Sequence, residues 1–499
     1  MTYRPGFFND ISSRVRAMDL DNLLLDTDSY KHSHYRQYKP GTQYVSSYVE
    51  ARKANGSIDY TVFFGLQMEL AKLQGVVITE DIIAEAEPFI RAHGLDPAID
   101  SWRRIQESHD GRLPVRIDAL PEGSVAGLRT AMMRITNTDP EFYWLPTFLE
   151  TRLLRSIWYP STVATNSLAT TREIARRMQI TDGSSEGVEF KLHDFGARGT
   201  TSFEAAGIGG CAHLVASQGT DTISGLVYAR NFYGADMAGY SIPASEHSTM
   251  TSWGGEAGEI DAMENMLRQF PDGLVACVSD SYDLFRALNE YWGDKLKDQV
   301  LSRENGFLVV RPDSGNPCEI LPSTIEALGE KFGFTETATG YRLLNDKVRV
   351  IQGDGVTPQS IIDIMQALMN HKLAIGNVAF GMGAGLLQKI DRDTFGFAMK
   401  ASAVCIEDEW HDVFKAPATS VAGLKASRPG RLAVVKEQPG VYETVRQEEL
   451  ADRDDQLETV FLDGEVTKVH LFEDVRARAA QEYDEMMAAK AQGRWPGIR

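Results

Sequence analysis

From about residue 188 the chain repeats one pattern of positions. A short unbroken apolar run ends abruptly in Gly, Asp, Ser or Arg, and a segment of helical length follows. VEFKLHD runs into Phe195-Gly196, GLVACV into Ser279-Asp280, and GFLVV into Arg311-Pro312-Asp313. KVRVIQ runs into Gly353-Asp354-Gly355, and NVAF into Gly381-Met382-Gly383. Between most of them lie stretches such as SYDLFRALNEYWG and PQSIIDIMQALMNHK, with helical spacing of apolar residues. Continuous apolar runs of this length predict strands buried on both faces, and their alternation with helices predicts parallel β/α units. The fold class expected is α/β, with an incomplete (β/α) barrel over residues 160–395.

The flanks read differently. Residues 22–75 hold period-2 stretches rich in Tyr, Val and Phe (QYVSSYVEAR, TVFFGL), which predict strands. Residues 79–107 predict helix with a break near Gly94. FYWLPTFLETRLLRSIW predicts a helix broken at Pro160, followed by a second, NSLATTREIARRMQI. RLAVVKE and ETVFLDG predict strands, and FEDVRARAAQEYDEMMAAKAQ a closing helix. Residues 1–159 and 396–499 are therefore expected to form one α+β domain from both chain ends, with 1–21 as a polar lead-in.

Composition narrows the class. Over 499 residues, 43% hydrophobic and 24% charged content is ordinary for a globular protein. The 51 basic against 70 acidic residues leave a charge of −19, which repels nucleic-acid backbones. No apolar run has the length of a membrane span, and the N-terminus lacks a secretory pattern. Cys211, Cys277, Cys318 and Cys405 form no CxxC pair and are expected to be free thiols. A cytoplasmic enzyme acting on small molecules, with no nucleic-acid or membrane partner, is the expectation.

In parallel β/α barrels the C-terminal strand tips carry the chemistry. Arg311 suits a phosphate or an aromatic plane, and Asp313, two residues on, suits ribose hydroxyls or a Mg²⁺ shell. Gly353-Asp354-Gly355 repeats the theme, and Gly383-Ala384-Gly385 before LLQK is a candidate phosphate cradle. Each alone is compatible with an ordinary turn. On successive strands they describe a phosphorylated sugar. Two basic stretches stand out in this acidic chain, one with Lys31, Arg36, Lys39, Arg52 and Lys53, the other with Lys389, Arg392, Lys400, Lys415, Lys425, Arg428 and Arg431. Both are compatible with a solvated face or with walls for an anionic substrate. SEHST around His247 is the most reactive histidine context; no zinc-ligand spacing is visible, so a metal held by protein alone is not expected.

The motifs TDSYKHSHYRQYKPGT, WYPSTVATNS, KLHDFGARG, EAAGIGGCAHLV, GTDT, YSIPASEHST, SDSYD, VRPDSGNP, VIQGDGV and GLLQK, in this order, resemble those of the nicotinamide phosphoribosyltransferase family of NAD salvage. The resemblance implies a type II phosphoribosyltransferase fold and a homodimer with shared active sites. It implies that Phe195 and Tyr30 of the other protomer sandwich the pyridine ring, and that Asp221 accepts from the carboxamide. It also implies Arg198 and Arg311 at the diphosphate, with Arg311 also at the ring substituent, and Asp313 and Asp354 at ribose hydroxyls. Backbone N–H groups of Gly353, Gly383 and Ala384 would meet the 5′-phosphate, and Arg52, Arg392, Lys400 and Lys415 would supply charge across the interface. His247 would be phosphorylated by ATP and oriented by Asp280, with Mg²⁺ carried in by diphosphate. Ala197, Ala384 and Ala398 depart from the Tyr, Gly and Ser frequent in the family. A carboxylate at 221 favours an amide over a second carboxylate, although Asp221 also stands where a helix N-cap is expected. Nicotinate phosphoribosyltransferase is the nearest alternative, and a non-catalytic nucleotide-binding protein an alternative of another class. A barrel isomerase or aldolase fits less well, because the tips hold Arg, Asp and Gly rather than a Schiff-base lysine.

Overall fold

The computed structural model describes residues 22–415 and 426–495. The expected lead-in at 1–21 and the basic residue Lys425 lie outside them. Two sheets organise the molecule, each with its own hydrophobic core.

The first is a six-stranded, wholly parallel sheet. Its strands run side by side as Gly219–Thr220, Leu192–Asp194, Val378–Met382, Val348–Gln352, Leu308–Arg311 and Val275–Val278. Its two edges are joined by the stretch 240–245. Tyr240 pairs with Gly219 on one edge and Ala244 with Ala276 on the other, so the sheet curls into a barrel closed by irregular chain. Period-2 geometry then sorts the side chains. Val275, Cys277, Leu308, Val310, Val350, Val378 and Phe380 face outward into the helical layer and are almost fully buried. Ala276, Val309, Ile351 and Ala379 face inward, where they meet Phe195 and Ile242. Two of these four are alanines, which leaves room inside for an aromatic ring.

The second sheet has seven strands in the order Glu409–Asp412, Ala398–Ile406, Thr42–Glu50, Met133–Asn137, Val115–Ala119, Glu458–Leu462 and Glu465–Val466, with every pairing antiparallel. It thus draws strands from both chain ends. The helices Glu80–Ala92 and Ile99–His109, separated at Gly94, contribute to its core, where Trp102, Trp144 and Phe148 meet edge to face. The C-terminal helix Phe472–Ala491 returns to the barrel, burying Phe472, Val475, Ala479 and Met486 in that core.

One expectation is corrected. The helix does not break at Pro160: a single helix runs from Glu150 to Thr181 through it. A mid-helix proline leaves the carbonyl four residues back without a donor and crowds it. Here that side of the helix is covered by Gly65. A Cβ on Gly65 would lie 2.2 Å from the Pro160 ring and 2.7 Å from the Ser156 carbonyl, and φ is +103°. A glycine lets a neighbouring chain pass tightly over the defect, and tertiary packing carries the helix across it.

Candidate active site

All six parallel strands end at one mouth, and each tip delivers the residue types expected there. Leu192–Asp194 leads to Phe195 and Arg198, and Gly219–Thr220 to Asp221. Val275–Val278 leads to Asp280, and Leu308–Arg311 to Asp313. Val348–Gln352 leads to Gly353 and Asp354, and Val378–Met382 to Gly383 and Ala384. Sequence-distant residues meet because parallel strands share one direction.

Phe195 is seated by glycines. Its backbone N–H donates to the Met382 carbonyl at 3.0 Å. A Cβ on Gly381 would lie 2.0 Å from the ring, and one on Gly353 would lie 3.2 Å from the ring and 3.9 Å from Asp313 Oδ1. The ring therefore lies against the backbone of two strand tips, beside the Asp313 carboxylate. Ala384 faces the same loop: a Cβ on Gly199 would come within 3.3 Å of the Ala384 methyl. Arg198 and Ala197 are exposed on that loop.

His247 opens the short helix His247–Thr251, whose start is a reciprocal capping box between Glu246 and Thr249. Its Nε2 lies 3.1 Å from Asp280 Oδ1 and its Nδ1 3.9 Å from Asp313 Oδ2. The imidazole is 46% exposed while the Asp280 side chain is 3% exposed, so an open ring is aimed by a buried carboxylate. The other oxygen of Asp280 accepts from the Asp313 N–H at 2.8 Å and the Ser314 hydroxyl at 2.5 Å. One carboxylate thus ties the histidine to the loop bearing Asp313, and Arg311 adds a contact to Asp313 at 3.4 Å. Asp280 and Ser314 form the link that residue spacing could not show.

Asp221 does not cap the following helix. Thr222 occupies the N-cap of Ile223–Tyr233 and makes no side-chain cap bond. The exposed Asp221 carboxylate instead accepts from the Ser241 hydroxyl at 2.5 Å, and its N–H donates to the Asp194 carbonyl at 2.9 Å. Ser241 was not singled out in the sequence. It belongs to the irregular stretch that closes the barrel, and its neighbourhood depends on that closure.

The remaining expected residues lie on the antiparallel sheet, as Lys400 does, or in segments outside its strands. The register sets Tyr48 against Lys400 and Glu50 against Ala398. The Lys400 ammonium is 3.4 Å from Glu150, which also holds Lys31. Burial lowers the Lys400 pKa, with Arg52 and Lys31 adding to the effect and Glu150 opposing it. Arg52 Nε bonds the fully buried Glu50 at 2.6 Å. Arg392 contacts Asp393 at 3.2 Å, and Lys415 is exposed, its N–H donating to Ser427. Tyr30 is 56% exposed in the 3-10 helix Ser29–Arg36. Among the described residues, no hydrogen bond or ion pair joins this group to the barrel mouth.

A cavity of about 740 Å³ opens beside the mouth, lined by Asp26, Glu69, Arg152, Tyr159, Ser202 and Leu387 among others. Arg152 pairs with Glu69 at 2.6 Å and Arg155 with Asp26 at 2.6 Å, and the lining holds no excess of positive charge for phosphate. The mouth, with its arginines, glycine tips and aromatic ring, is the better site for a phosphorylated sugar and a flat base.

Known proteins point the same way. Residues 190–465 match the nicotinate phosphoribosyltransferase (NAPRTase) family, and 22–117 the N-terminal domain of nicotinamide phosphoribosyltransferase. A nicotinamide phosphoribosyltransferase of Xanthomonas campestris is 46% identical over 92% of this chain and 98% of its own. One from Acinetobacter baylyi is 34% identical over 93% and 98%. The solved nicotinate-nucleotide pyrophosphorylase of Pyrococcus furiosus shares the fold, with a TM-score of 0.60 at 16% identity over 94% of this chain and 97% of that one. The human nicotinic acid phosphoribosyltransferase does so with a TM-score of 0.53 at 17% identity over 92% and 94%. No helix among the described residues is long and apolar enough to cross a membrane. With its α/β barrel, its flanking antiparallel domain and relatives matching nearly end to end, the chain belongs to the nicotinamide phosphoribosyltransferase family, within the wider nicotinate phosphoribosyltransferase family.

Proposed function

We propose that this chain is a pentosyltransferase of NAD salvage in the cytoplasm, joining nicotinamide to 5-phosphoribosyl 1-diphosphate to give nicotinamide mononucleotide and diphosphate. The observation that carries the choice of base is the Asp221 carboxylate, held by Ser241 through one oxygen at the barrel mouth. Its N–H is bonded to the residue preceding Phe195. A carboxylate there accepts from an amide N–H₂ and repels a nicotinate carboxylate.

The nucleophile is a neutral ring nitrogen, so the reaction needs no general base. The barrier lies in breaking the C1′–O bond through an oxocarbenium-like state, and positioning and charge stabilisation are the means of lowering it. Phe195 holds one face of the ring in line with the sugar. Asp313 and Asp354 hold ribose hydroxyls, and the glycine tips at 353 and 383, with Ala384, present N–H groups to the 5′-phosphate. Arg198 and Arg311 take the charge of the departing diphosphate. The donor set suits a Mg²⁺ that arrives with diphosphate rather than a resident one: Asp280 is committed to His247 and Ser314, which leaves Asp313 and Asp354 as carboxylates for a cation otherwise held by phosphate oxygens and water. Such an ion supplies charge neutralisation at the leaving group. His247, exposed and aimed by Asp280, is the acceptor for a phosphoryl group from ATP, which couples ATP hydrolysis to product formation.

The site is shared between two protomers. What supports this is that, among the described residues, no hydrogen bond or ion pair joins Tyr30, Arg52, Arg392, Lys400 or Lys415 to the mouth, together with the exposure of Tyr30. In a homodimer, Tyr30 of the partner subunit covers the second face of the ring, and the basic group meets phosphates. A competition assay with both bases and 5-phosphoribosyl 1-diphosphate tests the reading. Nicotinamide mononucleotide is expected as the main product; preferential use of nicotinate would overturn it.

A further inference from the structure

Directly behind the mouth, Asp194 ends the strand Leu192–Asp194 and is 0% exposed. Its surroundings are those of the base pocket. Its carbonyl accepts the Asp221 N–H at 2.9 Å, its Oδ1 accepts the Gly196 N–H at 2.6 Å, and Phe195 follows it in the chain. Oδ2 is fully buried, and the side chain beside it is that of Thr222, whose hydroxyl is buried as well. The two side chains are neighbours: a Cβ on Gly210 would lie 2.8 Å from Thr222 Cγ2 and 3.4 Å from Asp194 Oδ2. The titratable groups facing Asp194 are Asp221 from the adjoining loop and Tyr159 from the long helix, and neither is a cation. Burial pushes its carboxyl up to about 6, with Asp221 acting in the same direction and the Gly196 N–H and Thr222 opposing.

A carboxyl in this place is an expensive way to hold one backbone N–H and one threonine hydroxyl. An asparagine could accept the Gly196 N–H without the desolvation of a charge. The Asp194 carbonyl and side chain both brace the loops that carry Phe195 and Asp221, so a change at Asp194 is transmitted to both. We infer that Asp194 is a positioning residue and a determinant of base choice: it pins the turn carrying Phe195 and Arg198, and its ionised carboxylate adds to that of Asp221 in excluding a negatively charged base. The inference deepens the assignment of Asp221 to the carboxamide and rests on it. When Asp194 takes up a proton, the contact to Gly196 survives and the second negative charge is lost. Discrimination against nicotinate should therefore narrow as the pH falls through the titration of Asp194.

The test uses the full-length enzyme and its Asp194→Asn and Asp221→Ser variants. For each, kcat and KM are measured for nicotinamide and for nicotinate between about pH 5.5 and 8, a range that spans this titration. In the wild type, the preference for nicotinamide, as the ratio of kcat/KM values, should fall about threefold to tenfold toward the acid end. In Asp194→Asn it should be low throughout and flat with pH, the change residing in KM more than in kcat. Asp194→Ala, which also loses the acceptor for Gly196, should in addition lower kcat/KM for nicotinamide. A purely structural Asp194 would leave the base ratio and its pH profile as in the wild type, and that result overturns the inference. If Asp221→Ser shifts the ratio and Asp194→Asn does not, only Asp194 loses its role; if neither shifts it, the Asp221 reading falls as well. Should Asp194→Asn fail to fold, a flat wild-type ratio across the range overturns the inference on its own.

Discussion

At the scale of single residues, the site is a set of committed hydrogen bonds around a few open groups. Asp280 spends both oxygens, one on His247 and one on the loop of Asp313 and Ser314. The His247 ring stays half open at the mouth with its Nε2 held by Asp280, and the proposed phosphoryl transfer rests on that arrangement. His247→Ala is expected to lose the stimulation of nicotinamide mononucleotide formation by ATP while keeping some ATP-independent turnover, because Phe195, Asp221 and Arg311 remain. Parallel assays of product and of ATP hydrolysis check this; ATP stimulation equal to that of the wild type would remove His247 from the role. Residue types at the strand tips were legible from the chain alone. The partners Ser241, Ser314 and Asp194 were not, since they become neighbours only through barrel closure or burial.

At the scale of elements, short strands and a long helix are tied together by buried side chains. His213, at the end of the helix Phe203–His213, is fully buried. Its Nδ1 is 2.7 Å from the Ser167 hydroxyl on the long helix, and its Nε2 is 3.0 Å from the carbonyl of Gly219 on the two-residue edge strand. The ring thus bridges two helices and the sheet, donating from Nε2. Burial pushes its pKa down from 6.5 to about 4, against the opposing effect of the Gly219 carbonyl. The unfolded chain binds this proton near 6.5 and the folded chain only near 4, so the unfolded state is favoured progressively within that window. Stability should be full above it and fall with acid, by about 1.4 kcal/mol per pH unit for one such group. Urea midpoints between pH 7 and 5 measure the slope. His213→Gln should be less stable at neutral pH and show a shallower acid dependence; an unchanged slope would contradict the assignment. Apolar runs and their tips showed five of the six parallel strands in the sequence. The sixth, at Gly219, is too short to carry a pattern of its own and exists because His193 and Asp194 pair beside it. The unbroken helix through Pro160 shows the reverse case, in which a correct local rule is overruled by a glycine from elsewhere in the chain.

At the scale of the whole molecule, both chain ends build one sheet, which carries Lys400 and leads into Arg52, and among the described residues neither is bonded to the mouth it is proposed to serve. If the sites are shared, mixed dimers should complement. Phe195→Ala and Tyr30→Ala should each be nearly inactive alone. Coexpressed in equal amounts, they should recover about a quarter of wild-type activity, because half the dimers are mixed and each holds one intact site. Activity no greater than the sum of the two variants would argue that each chain completes its own site.

The order of apolar runs, helical segments and polar tips determined by itself that this is a parallel β/α protein with its chemistry at the strand ends, because strand and helix periods and tip composition are local properties. Motif order along the chain likewise carried the family. Tertiary structure alone decided which oxygen of Asp280 faces His247, that Ser241 rather than a helix end receives Asp221, and that a buried carboxyl stands behind the barrel mouth. Those facts depend on which distant segments touch and how much water they exclude, and neither quantity is written in any short stretch of residues.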